Sequence, residues 1–373
     1  MSSLTPNFYT DFSFGNFFYN IGHPMKPLRI NILNEMIFSY GLHSFFNFKN
    51  SKKITTYEII NFHSMFYLKN DLKYGKKNFE KNKYDIDFFF HKNSNQDCPV
   101  FKGILDYCQI YTSASISSAS DLSPKEYKYC INWMGGYHHA KKKSASGFCY
   151  INDIVLCILE LLKTFDRVLY IDIDVHHGDG VEEAFQLSNR VLCVSFHKFK
   201  KFFFPETGNI VDNGLGLGKN FSLNIPYKDG IKDSSYYEIY ELVISRIVEK
   251  FNPDSIVLQA GADSLSGDKL GNFNISPDCH GKCINFVKML KIPFVILGGG
   301  GYKKKNVARC WTKETALLCD KKLDNKIPFN KYSNLFYPSF TLDFPISGVI
   351  DKNSKSYLNL LKRKILQNIM KII

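Results

Sequence analysis

The chain has 373 residues, of which 45% are hydrophobic and 22% are charged, so it can bury a large core and does not have the composition of a disordered or fibrous protein. Its longest apolar runs, such as 292–297, are far shorter than the roughly 18 residues of a membrane span, and the N-terminus lacks a signal-peptide pattern. We therefore expect a soluble protein that is not secreted and does not bind membranes.

The formal charge of the chain is +13 at pH 7, which suggests an anionic partner such as nucleic acid or a phosphorylated ligand. The chain is also rich in Phe, Tyr, Asn, Ile and Lys, however, as an AT-biased coding sequence would make it without selection for binding. We prefer that explanation and expect no direct sequence-specific binding of nucleic acid. The 10 cysteines include no CxxC pair and most lie in apolar contexts, which indicates reduced core residues in a reducing compartment.

From residue 147 onward, the apolar pattern alternates between helical and strand periods. In chain order it predicts a helix from Ile151 to Leu162, a strand at 168–174, a helix at 180–187, a strand at 190–196, a helix at 234–250, a strand at 255–260, a helix at 280–290 and a strand at 293–297. Before this region, the polar stretch 69–83 is typical of a surface loop, and after it residues 358–372 have the spacing of a packed terminal helix.

Continuous apolar strands separated by amphipathic helices predict an α/β fold with a parallel sheet covered on both faces. In such sheets the ligand site lies beyond the carboxyl ends of the strands. The polar residues that follow three of these strands, in the segments 172–180, 260–263 and 298–302, are therefore expected to converge on one rim.

The segment Asp172–Gly180 contains five side chains able to bind or orient a metal within nine positions. If residues 168–176 form a strand, Asp172, Asp174 and His176 point to the same side. Unpaired carboxylates at the end of a buried strand cost several kcal/mol, so a divalent cation is the simplest partner for them. The alternative is an ordinary acidic turn, although such turns lack paired imidazoles and this spacing.

A second histidine pair, His138-His139, cannot point inward from a regular strand and so implies a loop. Two imidazoles beside a metal suit proton transfer near neutral pH, because their unperturbed pKa is about 6.5. Alone, the pair would be interpreted as part of a surface loop. The Asp-rich segment makes a catalytic role the better interpretation.

Several motifs together resemble the class I histone deacetylases of the arginase-deacetylase superfamily. They lie, in one order along the chain, at 22–27, 97–101, 136–140, 146–153, 170–184, 194–198, 263–268 and 298–311. The resemblance covers residues 15–320 and implies a single domain over 1–373, with residues 321–373 as an extension packed on it. It implies the fold of that superfamily, with a central, mostly parallel sheet, helices on both faces and the active site at the carboxyl ends of the strands.

The resemblance also implies a catalytic zinc bound by Asp174, His176 and Asp263, with the remaining positions left for water and a substrate carbonyl. Two carboxylates and one histidine would also suit iron(II) or cobalt(II). A structural potassium ion is implied at Asp172, Asp174, His176, Ser195 and Phe196.

Within the family pattern, His138 and His139 flank the attacking water, with Asp172 and Asp179 as their respective orienting partners. We assign His139 as general base and then acid, and His138 a mainly electrostatic role. Tyr302 matches the phenol that donates a hydrogen bond to the tetrahedral oxyanion. The glycine run before Tyr302 could instead cradle a phosphate, but it lacks the Lys-Ser/Thr ending of a P-loop.

The resemblance assigns substrate binding to five residues. Phe148 and Phe204 match the walls of a narrow acyl-lysine tunnel, with Gly147 beside them, Leu270 at the rim, and Asp97 as the carboxylate that holds the substrate backbone. Since the chain has 33 phenylalanines, a core role for the two aromatic residues is a strong alternative.

Four further residues, Gly22, Lys26, Lys269 and Lys305, match an inositol phosphate site shared with a corepressor. Two of these lysines stand where the family usually has arginine, so bidentate phosphate contacts would be lost while the charge stays.

The chain departs from the family pattern at two places near the site. Tyr137 replaces the usual leucine beside an internal cavity proposed for acetate release, so we expect a narrower cavity and slower product exit. The rim loop 198–205 is one residue longer than usual and carries extra lysines, so we expect an altered preference among lysine-rich substrates.

The sequence therefore predicts a zinc-dependent deacetylase acting on N6-acetyl-lysine of histones with corepressor-type subunits, in the nucleus or the cytoplasm. An alternative within the same fold is a deacetylase of acetylated polyamines or other small amides. A third interpretation is a non-catalytic chromatin scaffold, against which the complete set of catalytic side chains argues.

Overall fold

The computed structural model describes residues 5–52, 54–68 and 97–372. The predicted surface loop at 69–83 lies outside the described residues. Eight strands of the described chain form one sheet, and every pair of neighbouring strands is parallel. The strands are β1 (Asn7–Tyr9), β2 (Asn47–Lys49), β3 (Tyr129–Asn132), β4 (Val168–Asp172), β5 (Val191–Lys198), β6 (Ser222–Tyr227), β7 (Ser255–Gln259) and β8 (Phe294–Leu297), in the order β2-β1-β3-β8-β7-β4-β5-β6.

The helices lie mainly between these strands, as parallel connections require. They are α1 (Leu28–Ser39), α2 (Thr56–Ile59), α3 (Met65–Tyr67), α4 (Ile104–Ser120), α5 (Asp153–Leu161), α6 (Asp179–Phe185), α7 (Asp233–Phe251), α8 (Pro277–Met289), α9 (Lys304–Leu318) and α10 (Lys355–Ile369). Local signals begin several of them: the side chains of Asn152, Ser276 and Ser354 accept the amide hydrogens that α5, α8 and α10 leave free in their first turns.

The central strands are buried on both faces because successive side chains belong to two separate apolar clusters. In β4, Leu169 and Ile171 pack into one cluster, whereas Val168 and Tyr170 pack into the other. This arrangement explains why these strands are continuously apolar in sequence rather than alternating. The predicted α/β class and the parallel sheet with helices on both faces are confirmed.

One prediction about the strands was wrong, and one strand after residue 147 was missed. β4 ends at Asp172, so the segment that carries Asp174 and His176 is irregular rather than a strand with its polar side chains on one side. Strand β6 was not predicted, because Asn224 and Pro226 interrupt the apolar run. It pairs with β5 alone at the sheet edge, which is where a proline is tolerated in a strand.

The last helix, α10, packs against the edge strand β6 and helix α7. Its Tyr357 hydroxyl donates to the carbonyl of Pro226 in β6, and its Lys362 ammonium pairs with Glu238 of α7. No helix in the described ranges has the length and hydropathy that a membrane span requires. All 10 cysteines are free thiols and nine of them are buried, as predicted for reduced core residues.

Candidate active site

The predicted site residues meet at the carboxyl ends of three neighbouring strands. Asp172 is the last residue of β4, and Asp174 and His176 follow it in the next loop. Asp263 lies in the turn 262–264 after β7, and Tyr302 follows β8. The predicted convergence of these loops is therefore confirmed.

Asp174, His176 and Asp263 form a compact cluster of potential metal ligands. One atom of each lies within 4.8 Å of the others, and all three residues are buried. His176 Nδ1 lies 3.2 Å from Asp174 Oδ1 and 3.1 Å from Asp263 Oδ2. These separations are close to the roughly 3.3 Å expected between ligands about 2.05 Å from a tetrahedral zinc ion. The three donors therefore fit a divalent metal.

The charges of the cluster also favour a cation. Among the described residues, no lysine or arginine forms an ion pair with Asp174 or Asp263. Burial disfavours charge on the His176 imidazole, but the hydrogen bonds to Asp174 and Asp263 outweigh it and raise its pKa to about 10. Burial and the charge of Asp174 raise the pKa of Asp263 to about 7. The cluster thus attracts positive charge, whether as protons or as a cation.

Backbone and side-chain donors hold the two ligand carboxylates in place. Gln259 Nε2 and the Gly300 amide donate to Asp174 Oδ2 at 2.8 and 2.9 Å. The Val175 amide donates to Asp263 Oδ1 at 2.9 Å. Gln259, the last residue of β7, was not singled out from the sequence, because an isolated glutamine in an apolar strand carries no motif.

The two histidines of the loop after β3 each face a buried carboxylate. His138 Nδ1 lies 2.7 Å from Asp172 Oδ2, and His139 Nδ1 lies 2.7 Å from Asp179 Oδ1. The two Nε2 atoms are 2.9 Å apart, so one of them carries a proton and the other does not. The structure thus brings together both predicted histidine–aspartate pairs.

Burial and neighbouring charges distinguish the two imidazoles. Burial disfavours charge on His138, but the carboxylates of Asp172 and Asp174 raise its pKa to about 9. Burial and the adjacent charge of His138 lower the pKa of His139 to about 3. These opposite shifts assign the shared proton to His138 and leave His139 neutral.

Tyr302 is held beside this group by its backbone. Its amide donates to Asp268 Oδ2 at 2.8 Å, and its ring packs edge-on against Phe148 with centroids 5.5 Å apart. Burial, followed by the charge of Asp263, raises the pKa of the Tyr302 hydroxyl well above its usual value. The hydroxyl is therefore a neutral donor at physiological pH. Asp268 lies in the motif at 263–268, but its role in positioning Tyr302 was not predicted.

A cavity of about 370 Å³ leads to these groups from the surface. Its walls include every residue predicted to bind substrate, and His139, His176 and Tyr302 also line it. The lining residues are Asp97, His139, Gly147, Phe148, His176, Phe203, Phe204, Lys269, Leu270 and Tyr302. Asp97, Phe204 and Leu270 are exposed, which places them at the mouth.

The walls of this cleft are aromatic. The Phe204 ring lies edge-on to His139 with centroids 4.8 Å apart, and Phe203, which was not predicted, stacks on His176 at 5.2 Å. Gly147 leaves room for the rings of His139 and Phe204, because a Cβ at this position would lie 2.5 Å from the first ring and 2.8 Å from the second. The φ of Gly147, +50°, also favours glycine.

Comparisons with known proteins agree with this arrangement. Residues 23–318 match the model of the histone deacetylase domain. The chain belongs to the histone deacetylase family. It is 45% identical over 362 residues to histone deacetylase 1 of Homo sapiens, an alignment that covers 97% of this chain and 74% of that protein. It is 47% identical over 363 residues to histone deacetylase 9 of Arabidopsis thaliana, covering 97% and 84% of the two chains.

Membership of this family makes the chain a deacetylase of a metal-dependent class. A second cluster of potential ligands in this deacetylase, His280, Cys310 and Glu314, is also buried. Its contacts are those of hydrogen bonds: Cys310 Sγ donates to Glu314 Oε1 at 3.0 Å, and the two ring nitrogens of His280 face Glu314 and the carbonyl of Gly261. We interpret this cluster as an internal ion pair that braces the loop carrying Asp263.

Further hydrogen bonds support the loops of the candidate site. Trp311 Nε1 donates to the carbonyl of Ala260 at 2.9 Å. The buried guanidinium of Arg29 donates to the carbonyls of Gly299 and Gly301, on either side of Gly300. None of these residues was predicted, because their partners are distant in sequence.

The residues predicted to bind potassium lie beside the ligand cluster. Ser195 in β5 is paired with Asp172 in β4, and Phe196 follows it. Ser195 Oγ lies 2.9 Å from His197 Nδ1, and Asp172 Oδ1 accepts the amide hydrogen of Asp174 at 3.0 Å.

Of the residues predicted to bind inositol phosphate, Lys269 forms part of the lining of the cleft. Partial burial and the charges of Lys269 and Lys304 lower the pKa of Lys26. Lys304 was not predicted, whereas Lys305, one residue further along α9, was. Gly22 has a φ of +81°, and a Cβ added at this position would meet no atom within 4 Å.

We predict that metal binding weakens as the pH falls. A metal ion must displace the proton that the metal-free site holds on His176, whose pKa is about 10, so the apparent affinity should rise by about tenfold per pH unit for each proton released. Competition of the apo-deacetylase with a fluorescent zinc chelator between about pH 6.5 and 8.5 measures this slope. Circular dichroism at each pH controls for unfolding, and an affinity that is independent of pH would contradict the prediction.

We predict that Gly300→Ala releases the metal. A Cβ at this position would lie 2.0 Å from Asp263 Oδ2 and 2.9 Å from Asp174 Oδ2, so it must displace both carboxylates. Metal affinity should fall by about tenfold or more, and activity should fall with it. Metal analysis after dialysis measures the effect. Gly348→Ala, where a Cβ meets nothing within 4 Å, is the matched control. Full metal retention in Gly300→Ala would show that the cluster is not the metal site.

Proposed function

We propose that the chain is a zinc-dependent protein lysine deacetylase that hydrolyses N6-acetyl-lysine of histones to lysine and acetate. The observation that supports this proposal most directly is the aromatic cleft, which leads from an exposed carboxylate at Asp97 to a floor formed by His139, His176 and Tyr302. A cleft of this kind fits an extended acyl-lysine side chain whose amide reaches the ligand cluster. The names of the relatives support the histone as substrate.

Asp174, His176 and Asp263 would hold the zinc ion, since one histidine and two carboxylates leave the remaining coordination positions free. When bound, the metal lowers the pKa of a water molecule toward neutrality and polarises the amide carbonyl. The same donor set would accept iron(II) or cobalt(II). We further propose a structural potassium ion beside Asp172, Asp174, His176, Ser195 and Phe196, where the end of β4 pairs with β5.

The side chains of the cleft orient the substrate. The rings of Phe148 and Phe204 would contact the methylene groups of the acyl-lysine, and Leu270 would contact them at the mouth. The carboxylate of Asp97 is exposed and can accept hydrogen bonds from backbone amides of a peptide. Its main chain is fixed, because the Asp97 carbonyl lies 3.2 Å from His23 Nε2.

The histidine pair moves the protons of hydrolysis. His139 is neutral and lines the cleft, so once water replaces His138 as the partner of its Nε2 atom, that atom can take a proton from the attacking water and then give it to the leaving amine. His138 keeps its proton because Asp172 and Asp174 stabilise its charge, and it stabilises negative charge that develops nearby. Asp179 orients His139, and its second carboxylate oxygen forms an ion pair with Lys141 Nζ at 2.6 Å.

The hydroxyl of Tyr302 donates to the oxyanion of the tetrahedral state. Its pKa is raised, so the proton remains available for donation at the pH of the reaction. The bond from the Tyr302 amide to Asp268 and the brace from Arg29 fix the loop before catalysis begins. A donor fixed in this way stabilises the transition state without a further cost of reorganisation.

We propose that this activity serves transcriptional repression and chromatin regulation in the nucleus, within a corepressor-type assembly, as the histone deacetylase relatives suggest. Gly22, Lys26, Lys269 and Lys305, together with Lys304, would offer positive charge to an inositol phosphate at the assembly interface. Lysines supply such charge without the bidentate geometry of arginine.

We predict that Tyr302→Phe lowers kcat by about 10²–10³ with little change in KM, because it removes one hydrogen bond that is made mainly in the transition state. Release of lysine from acetylated histone-tail peptides by the purified zinc-loaded protein measures this effect. Leu187→Phe, on the exposed surface away from the cleft, is the matched control.

The same assay tests the substrate class when acetylated polyamines are offered beside the peptides. Turnover of polyamines alone would refute the proposed substrate. Unchanged turnover in Tyr302→Phe would show that the measured activity comes from a contaminant.

We predict that His139→Ala loses nearly all turnover but retains about one metal ion per chain. The imidazole of His139 faces His138 and Asp179, and the ligand cluster consists of other residues. Metal analysis and peptide deacetylation on the same sample check both parts, with His176→Ala as the control that should lose metal. Metal loss in His139→Ala would mean that His139 is a ligand rather than a base.

A further inference from the structure

Two adjacent side chains at the start of α5, Asn152 and Asp153, bind the backbone of the loop 136–140, which we call the histidine loop. Both residues are 0% exposed. Asn152 is the N-cap of α5, and Asp153 is its first residue. Neither residue lines the cleft or belongs to the ligand cluster, and the proposed mechanism does not use them.

The carboxylate of Asp153 binds the chain just before the two histidines. The Tyr137 amide donates to Asp153 Oδ1 at 2.9 Å, and the Gly136 amide donates to Asp153 Oδ2 at 3.0 Å. The Ser115 hydroxyl of α4 also donates to Oδ2, at 2.6 Å. A Cβ at Gly135 would lie 2.4 Å from Oδ2, so the loop can approach the carboxylate this closely only with glycine there.

The amide group of Asn152 binds the same loop at and after the histidine pair. Its Nδ2 atom donates to the carbonyl of His138 at 3.2 Å and to that of Ala140 at 3.0 Å. Its Oδ1 atom accepts the Val155 amide hydrogen at 3.1 Å and thereby caps α5. The two ends of one side-chain amide therefore have separate tasks, since the oxygen serves the helix and the nitrogen serves the loop.

The charge of Asp153 is costly in this position. The hydrogen bonds to its carboxylate come from neutral donors, a hydroxyl and two backbone amides. A buried carboxylate without an opposite charge beside it disfavours folding. Its presence is therefore better explained by the alignment that it gives to the histidine loop than by a gain in stability.

We propose that Asn152 and Asp153 are positioning residues that hold the histidine loop so that His139 Nε2 can reach the attacking water. This inference rests on the proposed deacetylation. An aspartate already holds each imidazole at Nδ1, but a ring held there alone would still move with its backbone. Asn152 and Asp153 fix that backbone, at two amides before the pair and at the carbonyls of His138 and Ala140. Proton transfer needs such precision, because a displacement of about 1 Å can cost about 10²-fold in rate.

The variant Asn152→Asp separates this role from helix stability. Aspartate still caps α5, but it has no N–H to give to the carbonyls of His138 and Ala140. We expect kcat for acetylated peptides to fall by about tenfold or more, with little change in KM and about one zinc ion retained per chain. Peptide deacetylation and metal analysis on one sample measure these quantities. A wild-type kcat would overturn the inference, and so would loss of the metal, because the effect would then act through the ligand cluster.

The variant Asp153→Asn tests the other half of the contact without relying on turnover. In either orientation of the new amide, the backbone amide of Gly136 or of Tyr137 then faces a donor. Hydrogen exchange of the apo-protein, followed by mass spectrometry, should become faster by about tenfold or more in the histidine loop and stay unchanged in strand β5. Unchanged exchange in the loop would overturn the inference. If this variant does not fold, the same measurement on Asn152→Asp decides.

A control variant distinguishes positioning from a general loss of stability. Ser354→Ala removes the N-cap of α10, where the Ser354 hydroxyl accepts the Tyr357 amide hydrogen at 3.2 Å. It should lower the unfolding temperature and leave kcat unchanged. An equal fall of kcat in Ser354→Ala and Asn152→Asp would show that stability alone explains the effect. Absence of peptide turnover by the wild-type protein would instead refute the proposed function, and the exchange measurement would still test the hold on the loop.

Discussion

The structure depends on holding three carboxylates inside a protein interior without lysine or arginine partners among the described residues. Asp172, Asp174 and Asp263 are each 0% exposed at the ends of parallel strands. Removing a carboxylate from water is costly unless hydrogen bonds and opposite charge replace its hydration. Backbone amides, Gln259, Tyr170 and imidazoles supply the hydrogen bonds, and protons or a cation supply the charge. The same deficit of positive charge that favours metal binding also keeps His138 protonated beside neutral His139.

This arrangement makes the site depend on its loops, because the proposed metal ligands lie beyond the strands rather than on them. A ladder of backbone hydrogen bonds fixes Asp172, whereas Asp174, Asp263 and Tyr302 need other supports. Helices that pack behind the loops provide them: Arg29 of α1 holds the glycine run, while Trp311 of α9 and the pair His280–Glu314 hold the segment before Asp263. Helix residues that do not line the cleft thereby set the geometry of the site.

The sequence predicted the strands and the motif residues better than the contacts that support the loops. The apolar periods located β4, β5, β7 and β8 within a few residues, because each is a continuous buried run between helices. The short strands at the other edge, such as Asn7–Tyr9 and Asn47–Lys49, were missed because three residues carry no measurable period. Motifs predicted the side chains that now line one cleft. The supports Gln259, Asp268 and His280 were not predicted as such, because a hydrogen bond between distant segments leaves no local pattern.

Tyr137 and Tyr107 are best understood as one unit. A buried phenol hydroxyl without a partner costs about 1–3 kcal/mol, so a tyrosine at 137 is tolerated only where another polar group meets it. The Tyr107 hydroxyl does so, and it would otherwise retain only the long 3.4 Å contact with Tyr19. Each hydroxyl therefore satisfies the hydrogen-bonding requirement of the other. A leucine at position 137 would leave the Tyr107 hydroxyl poorly paired. Burial of the two hydroxyls is thus a cooperative property of the pair and not of either side chain alone.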